Sequence, residues 1–337
     1  MYGSRSKSVC VALLIALAMT SSAAIATDIP EVGREPFGDY QLVPLLEDGA
    51  VYAGPPTPTS LDQVRLTSLV QQQLPAGARQ RLSEQGFVVV PSELRLFHEA
   101  YRDQFDSGTP VFVTTDVAYH AWHLVFDKLL RDIEQERLLP ALERLVQGMR
   151  GNAAEQRKQL ASTALADDAA RVHDLLAVTA SILGVRSGEL SERATQELRL
   201  IDEHAEYTDS PVLGTKMDYS LFTPRGHYTR NEDLTRYFKA MSVLGQHAFF
   251  LPGSRMPEGG TVDKTAALRR GLLASRTLVG DNQLEPLWRQ VFEPTAFLVG
   301  VSDDYTPFEL ADAVEAVVPG GWTRPRDMAS EETLLAV

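Results

Sequence analysis

The sequence predicts a mainly α fold, a multi-helical globular domain with a few short strands or extended segments. In the long patterned stretches, apolar residues recur at the three- and four-residue steps of a helix, as they do at Val172, Leu175, Leu176 and Val178. Helix-start signals precede several of these stretches. With 44% hydrophobic residues among 337, the chain can bury one large core or two smaller ones.

The first segment, residues 1–26, is predicted to be a secretory signal peptide. Arg5 and Lys7 precede a short apolar run, and small residues follow up to Ala26. This order of basic, apolar and small-residue segments is typical of export signals, and the run is too short to span a bilayer of about 30 Å. We therefore expect an exported protein, periplasmic or extracellular, with no stable membrane insertion after cleavage.

Cleavage after Ala26 would also remove the single cysteine, Cys10. Thiol catalysis and cysteine-based zinc sites are then excluded. The formal net charge would change from −13 to −15, because the segment carries Arg5, Lys7 and no acidic residue. Such an acidic chain disfavours nucleic acid and anionic membranes as partners. The partner that we expect is an unknown small polar ligand.

Two further segments follow the signal peptide. Residues 27–60 are rich in Pro, Gly and Asp without a sustained period and are predicted to form an extended lead-in. Residues 61–337 are predicted to form the helical domain. Its first helices are marked by cap residues at one or both ends: 61–73 after Ser60, 76–85 ending at Gly86, 92–105 opened by Ser92, and one that begins at Thr114 or Thr115. FVVV, residues 87–90, is predicted to be a short buried strand or an extended segment.

The rest of the domain is also predicted to be helical. Pro140 should begin a helix to about Met149, and spacing then predicts helices near 153–165, 168–184, 191–205 and 264–279. Two starts match the capping box, in which a Thr side chain and a Glu three residues later satisfy free backbone N–H groups. The pairs are Thr229 with Glu232, for a helix over 230–245, and Thr306 with Glu309, for a helix over 307–318.

The helix that begins at Thr114 or Thr115 carries a row of titratable residues. Asp116, His120, His123, Asp127 and Glu134 recur at steps of three, four and seven residues. At about 100° per residue these side chains fall within roughly 60° of one another. The other sides of the helix are mostly apolar, so we expect a helix largely surrounded by protein, with this polar row held inside it or at a cleft.

Three interpretations of the polar row remain open. It is a solvent-facing strip, an internal hydrogen-bonded network, or a metal or acid–base site. In the third case His120 and His123 would bind a divalent metal, Zn or Mn, with His227 as the third ligand. Asp116 and Asp127, together with His227, are then the candidate catalytic residues. Two His residues three apart arise readily by chance, so the sequence makes no cofactor certain.

A second group of polar residues lies in KMDYSLFTPRGHYTR, residues 216–230. Asp218, Arg225 and Tyr228 are the candidate ligand-binding residues in this loop, because Arg offers a fork for carboxylate or phosphate and loops often carry function. A purely structural role, with the arginines paired to acidic neighbours, is the alternative. The sequence contains no G-x-S-x-G elbow, Walker loop or dinucleotide fingerprint, so serine-triad hydrolysis and nucleotide chemistry have no support.

Three stretches carry a family resemblance: PVFVTTDVAYHAWHLVFDKLLRDIE, MDYSLFTPRGHYTRNEDLTRYFKAM and AFLVGVSDDYTPFELADAV. In this order they resemble the domain-of-unknown-function 3160 family of often exported bacterial and archaeal proteins. The resemblance implies a largely helical domain and brings no established reaction. Members of this family are generally longer, so the resemblance also implies that the chain is an N-terminal fragment, ending within the domain.

Three functional hypotheses follow. The first is an exported helical protein in which the polar row and the PRGHYT loop line one cleft for a small polar or saccharide-like ligand. The second is a metal-dependent hydrolase that uses His120, His123 and His227. The third is a cell-envelope interaction domain without a small-molecule site. Whether the protein is an enzyme stays open at this point.

Overall fold

The structure is a computed structural model that describes residues 74–91, 93–108, 113–185, 188–251, 263–300, 304–330 and 334. The predicted signal peptide, the extended lead-in and the helix over 61–73 lie outside these residues. The chain divides into two compact units. The described residues up to Val125 belong to one unit, and those from Phe126 onward belong to the other.

The mainly α fold is confirmed. In the first unit, cap residues mark helix ends where the sequence predicted them. This unit contains α1 (Ala76–Gln85), α2 (Phe97–Asp106) and the first part of α3 (Thr115–Ile133). Helix α1 ends at Gly86, which takes the left-handed conformation, with φ of 76°, that favours glycine. The side chain of Thr114 accepts a hydrogen bond from the Val117 N–H at 3.3 Å and so caps α3 as predicted.

Two expectations for this unit were wrong. Residues 87–90 form no strand and are not buried, since Phe87 and Val89 are exposed, so the buried strand is wrong and the extended segment stays a prediction. The second helix begins at Phe97 rather than near Ser92, because the Glu99 carboxylate accepts the backbone N–H groups of Arg95 and Leu96 and fixes the start there. An apolar run indicates burial only when another element covers it, and that information is not local.

Helix α3 is also less covered than its apolar pattern suggested. None of its described residues is buried, and Tyr119 and Trp122 expose 75% and 65% of their surface. The expectation of a helix largely surrounded by protein is therefore wrong. The spacing of apolar residues predicts the width of an apolar face. Whether that face is buried depends on another segment of the chain that packs against it.

The second unit begins with the end of α3 and continues without interruption through a π-helical turn, Glu134–Leu138, into α4. Its regular elements are α4 (Leu139–Leu160), α5 (Ala166–Ile182), α6 (Glu192–Glu203), β1 (Tyr207–Asp209), β2 (Lys216–Asp218), α7 (Glu232–Gln246), α8 (Lys264–Ser275), α9 (Leu284–Val299) and α10 (Pro307–Val317). The two strands form an antiparallel hairpin in which Tyr207 lies opposite Asp218. Short 3₁₀ turns at Tyr219–Phe222, Gly226–Thr229, Gly321–Thr323 and Pro325–Ala329 complete the described part.

The core of this unit is centred on α4 and α5. Helix α4 packs against α5 and α9, while α5 also packs against α6, α7 and α8. Leu142, Leu145 and Leu176 are fully buried between them. Burying each of these side chains contributes about 1.5–3 kcal/mol relative to leaving it exposed. Among the residues that the structure describes, no helix is both long and apolar enough to cross a membrane.

Two helix boundaries and one whole helix in this unit differ from the sequence prediction. The expected break after Met149 is absent, and α4 runs on through Asn152, whose side chain donates to the Thr277 carbonyl at 2.9 Å. Helix α7 is capped by Asn231, which accepts the Leu234 N–H at 2.9 Å, and not by Thr229. Helix α9 was not predicted at all. The capping box at the start of α10 is confirmed, since the Thr306 and Glu309 side chains each accept the other residue's backbone N–H.

Candidate functional site

The first part of the site is the π-helical turn that carries Glu134. The N–H of Leu139 donates to the carbonyl of Glu134, five residues back, so the helix is wider here than a regular α-helix. Pro140 follows directly, and a proline has no N–H for the carbonyl four residues earlier and would collide with it in a regular helix. The wider turn relieves this conflict. It packs against α7, and Glu134 is buried there.

The second part is the 3₁₀ turn Gly226–Thr229, which carries His227 and Tyr228. Gly226 has a φ of 59°, in the left-handed region, and so permits the abrupt entry into this turn. The Thr235 hydroxyl on α7 donates to the Tyr228 carbonyl at 2.8 Å. The turn is thereby attached to the same helix against which the π-helical turn packs.

Together these two turns form a compact cluster. The Nε2 atom of His227 lies 2.7 Å from Oε2 of Glu134, and the Tyr228 hydroxyl donates to Oε1 of the same carboxyl group at 2.8 Å. On the other side of the ring, Nδ1 of His227 lies 3.3 Å from Oδ1 of Asp127. One imidazole is therefore placed between two carboxyl groups. We call Asp127, Glu134, His227 and Tyr228 the Glu134 cluster.

The Glu134 cluster is open to solvent on the Asp127 side. The side chain of Asp127 is 18% exposed, against 9% for Glu134 and 11% for His227. Two arginines face the Asp127 carboxylate there, with Nε of Arg131 at 3.2 Å and a terminal nitrogen of Arg230 at 3.7 Å. Arg230 is largely exposed, so a ligand could reach the cluster from this side.

The two carboxyl groups of the cluster differ in their surroundings. Burial raises the pKa of Glu134, and the hydrogen bonds from Tyr228 and His227 oppose this rise without cancelling it. Burial also raises the pKa of the Tyr228 phenol, and the negative charge of Glu134 adds to the rise. Tyr237 on α7 is a second buried phenol whose pKa is raised by burial and by the charge of Glu134. A buried carboxyl group with a raised pKa keeps its proton to a higher pH than an exposed one, which favours a role as proton donor.

A second cluster of similar composition lies deeper in the same unit. Glu197 accepts hydrogen bonds from the Tyr219 hydroxyl at 2.6 Å, the Ser210 hydroxyl at 2.7 Å and the Val212 N–H at 3.1 Å. Nε2 of His247 lies 2.9 Å from its Oε1 atom. We call Glu197, Ser210, Tyr219 and His247 the Glu197 cluster. The side chains of Glu197 and His247 are both 0% exposed.

The Glu197 cluster holds a buried ion pair. Burial would raise the pKa of Glu197, but the hydrogen bond and charge of His247, with the hydrogen bonds of Tyr219 and Ser210, bring the pKa below its ordinary value. The carboxyl group is then ionised at neutral pH and can only accept. Nδ1 of His247 faces the Val243 carbonyl, which also only accepts, at 2.8 Å. Both ring nitrogens must donate, so the imidazole is doubly protonated.

The two clusters support different roles. A carboxylate has about four acceptor positions, and those of Glu197 are filled by four donors in the protein interior. Glu134 has two such partners within the described residues, and the exposed Arg230 faces Asp127 on the other side of the His227 ring. A saturated and fully buried group is suited to holding the fold together. The unsaturated one has acceptor capacity left for a ligand.

The structure divides the predicted polar row. Asp127 and Glu134 reach the cluster with His227, whereas Asp116, His120 and His123 are exposed. The exposed residues belong to the first unit, and the cluster belongs to the second. The catalytic role predicted for Asp116 stays a prediction. Of the polar row, Asp127 and Glu134 are therefore the residues that contact the PRGHYT loop, through His227.

The predicted ligand-binding residues of the loop are also separated. Tyr228 belongs to the Glu134 cluster. Asp218 instead ends strand β2, where its carboxylate accepts the Ser220 N–H at 3.0 Å and caps a 3₁₀ turn. Arg225 is exposed and precedes the turn that carries His227. The ligand roles of Asp218 and Arg225 stay predictions.

Within the described part of the chain, no group of three or more His, Cys, Asp or Glu side chains is placed to hold a metal ion. Both ring nitrogens of His227 face carboxyl oxygens, so binding a metal through this residue would require one of those contacts to break. A Zn or Mn site at His120, His123 and His227 stays a prediction.

Two important residues were not among the predicted site residues. Glu134 was recognised as part of the polar row, but nothing in its spacing distinguished it from the exposed members. Glu197 gave no signal, because its partners lie between 13 and 50 residues away in sequence. The proline at position 140 was the one available hint, since it indicates a disturbed helix close to Glu134.

Comparison with curated proteins and with solved structures found no match to this chain. A family model described as "Protein of unknown function (DUF3160)" matches residues 76–336, which include both clusters and nearly all of the described elements. The match extends over well more than half of the chain. The protein therefore belongs to the DUF3160 family.

Proposed function

We propose that this is an exported protein that binds a small polar, saccharide-like ligand at the Glu134 cluster. The observation that carries the proposal is the His227 imidazole placed between Asp127 and Glu134, at the edge of a solvent-accessible surface. Hydroxyl groups both donate and accept hydrogen bonds, and the carboxyl oxygens of Asp127 and Glu134, the His227 ring nitrogens and the Tyr228 hydroxyl together would offer both kinds of partner. The sequence supports export through the basic, apolar and small-residue order of residues 1–26.

The same residues could move a proton on a bound ligand. Burial raises the pKa of Glu134, which would be the proton donor, and Asp127 on the other side of the imidazole would be the acceptor. Once the ligand has taken a proton from Glu134 and given one to Asp127, His227, which contacts both groups, could return a proton from Asp127 to Glu134 and restore the starting state. Two carboxyl groups in unlike surroundings are the usual arrangement for acid–base work on hydroxyl-bearing substrates. Ligand binding is the main proposal, and proton transfer on the bound ligand is an extension of it.

The binding proposal is tested by titrating the purified mature protein with glucose, N-acetylglucosamine, maltose and cellobiose. We expect saturable heat or ligand NMR signals with at least one of them. Glu134→Gln should weaken that binding at least tenfold, because the amide no longer accepts from both His227 and Tyr228. Ten-fold is about 1.4 kcal/mol, the size of one lost hydrogen bond to a charged group.

Glu143→Gln is the matched control for this titration. Glu143 is also a half-buried carboxylate, paired with Arg236 at 2.6 Å, but it is not a member of the Glu134 cluster. Its replacement should leave binding unchanged. The proposal is wrong if none of the four sugars binds saturably, or if Glu134→Gln and Glu143→Gln bind equally well. The mature protein recovered from the exported fraction should begin at Thr27, and a start at Met1 would contradict export.

Metal binding is a separate prediction that the same material can check. If His120, His123 and His227 hold Zn or Mn, mass spectrometry of the purified protein should find about one ion per chain. Replacing His120 and His123 by Ala should then lower the metal content sharply, since two of the three ligands are gone. Replacing the exposed His98 by Ala should not change it. Equal metal content in all three proteins would remove the metal-dependent hydrolase from consideration.

A further inference from the structure

Arg276 is a half-buried arginine whose orientation is fixed by its neighbours. It directly follows α8, and its Nε donates to Oε1 of Gln156 at 3.3 Å. Gln156 is itself buried on α4, where its Nε2 donates to the Leu273 carbonyl at 3.0 Å. With its amide group held by the backbone of α8, Gln156 presents an oxygen to Arg276. The guanidinium group therefore has one defined direction.

The charge of Arg276 is not balanced by a carboxylate. Within the described residues, no Asp or Glu oxygen lies within 4.0 Å of its guanidinium group, and burial alone lowers its pKa. The other half-buried arginines of this part, Arg150 aside, do have such a carboxylate: Arg131, Arg171, Arg193, Arg236, Arg269, Arg270 and Arg289. An unpaired and partly desolvated cation is costly, above all in a chain with an excess of acidic residues.

One side of this guanidinium group faces an aromatic ring. Its central carbon lies 5.8 Å from the centre of the Trp322 ring, within the range of a cation–π contact. Trp322 lies in the 3₁₀ turn after α10, and the Glu315 carboxylate holds this turn by accepting the Gly320 and Trp322 N–H groups. The aromatic face is thus also fixed. Gln156 thus contacts Nε of Arg276 and Trp322 contacts one face of the guanidinium group, and neither accepts a hydrogen bond from its two terminal nitrogens.

Those terminal nitrogens are available. They make no hydrogen bond within the described part of the chain, and they are not sealed in the interior. A guanidinium group offers two parallel N–H donors that match the two oxygens of a carboxylate or phosphate. We propose that Arg276, Gln156 and Trp322 form a binding site for a small organic anion, with the anionic group on Arg276 and the body of the ligand against Trp322.

The test follows the indole N–H signals of ¹⁵N-labelled mature protein, which has three tryptophans, at positions 122, 288 and 322. Benzoate, inorganic phosphate and the neutral benzamide are titrated separately, and each signal is assigned by a Trp→Phe variant. We expect benzoate or phosphate to shift the Trp322 signal saturably, with a dissociation constant on the order of 1 mM. Benzamide should not shift it, because it lacks the charge. A response to benzoate alone, or to phosphate alone, identifies the anionic group.

Arg289 supplies a matched control. Its guanidinium carbon also lies 5.8 Å from an aromatic ring, that of Phe308, but a terminal nitrogen lies 3.8 Å from Glu293. Arg276→Gln should weaken anion binding at least tenfold, and Arg289→Gln should leave it unchanged. Equal weakening in both variants, no loss in Arg276→Gln, or an equal response to benzamide would overturn the proposal. If Arg276→Gln does not fold, the titration of the unaltered protein still tests the proposal. A shift confined to the Trp122 or Trp288 signal, or the absence of any saturable shift, also overturns the proposal.

Discussion

Replacing Glu197 by Gln is expected to destabilise the protein by about 3 kcal/mol or more at neutral pH. Removal of one member of a buried ion pair leaves the other charge without a partner, which typically costs about 3–5 kcal/mol. Here the remaining charge is the His247 imidazolium, and whichever way the new amide turns, its NH2 group faces donors where a carboxylate oxygen accepted from two groups. Urea unfolding followed by far-ultraviolet circular dichroism measures the change.

Glu203→Gln is the control for this prediction, because Glu203 lies on the same helix, α6, but is largely exposed. Its replacement should change the free energy of unfolding by no more than about 0.5 kcal/mol. If the two variants are equally stable, the Glu197 cluster does not support the fold as its geometry indicates.

The pH dependence of the Glu197 effect has a definite sign. The pKa of Glu197 is lower in the folded protein than its ordinary value of 4.5, so its stabilising contribution is complete above pH 4.5. This contribution is lost as the pH falls through the folded pKa. The difference in unfolding free energy between the unaltered protein and Glu197→Gln should therefore shrink in acid. A difference that stays constant between pH 7 and pH 3 would contradict the buried ion pair.

Replacing His227 by Ala is expected to destabilise the protein by about 2 kcal/mol at neutral pH. The imidazole supplies a hydrogen bond and a favourable charge interaction to Glu134, and hydrogen bonds to charged groups contribute about 1.5–3 kcal/mol. Without it, the pKa of Glu134, already raised by burial, rises further. Urea unfolding at several pH values measures the effect, with His98→Ala on α2 as the exposed control.

The cost of His227→Ala should also fall in acid, but for a different reason, because the pKa of Glu134 is raised rather than lowered. A carboxyl group whose folded pKa is raised contributes most below its unfolded pKa and loses stability as the pH rises through the folded value. The cost of His227→Ala should therefore be largest at neutral pH and become small near pH 4. Adding Glu134→Gln to His227→Ala should restore part of the loss, because no carboxylate remains to be ionised. A loss that is independent of pH, or absence of any restoration, would show that His227 contributes only by packing.

Local hydrogen bonds explain which expectations the sequence supported. The end of α1 at Gly86 and the start of α10 at Thr306 depend on contacts a few residues apart, so their residue types are sufficient to predict them. The same holds for Thr114 at the start of α3. The long apolar repeats likewise predicted the mainly α class. Boundaries that depend on distant partners, such as the unbroken passage of α4 through Asn152, were predicted wrongly.

The candidate site shows the same division between local and distant information. The sequence by itself determined the helical class and identified the polar row and the PRGHYT loop as the segments rich in titratable groups. Only the tertiary structure decided that Asp127 and Glu134 meet His227, while His120 and His123 of the same row are exposed. The physical reason is that Glu134 and His227 are 93 residues apart, and α7, which packs against both of their turns, brings them together.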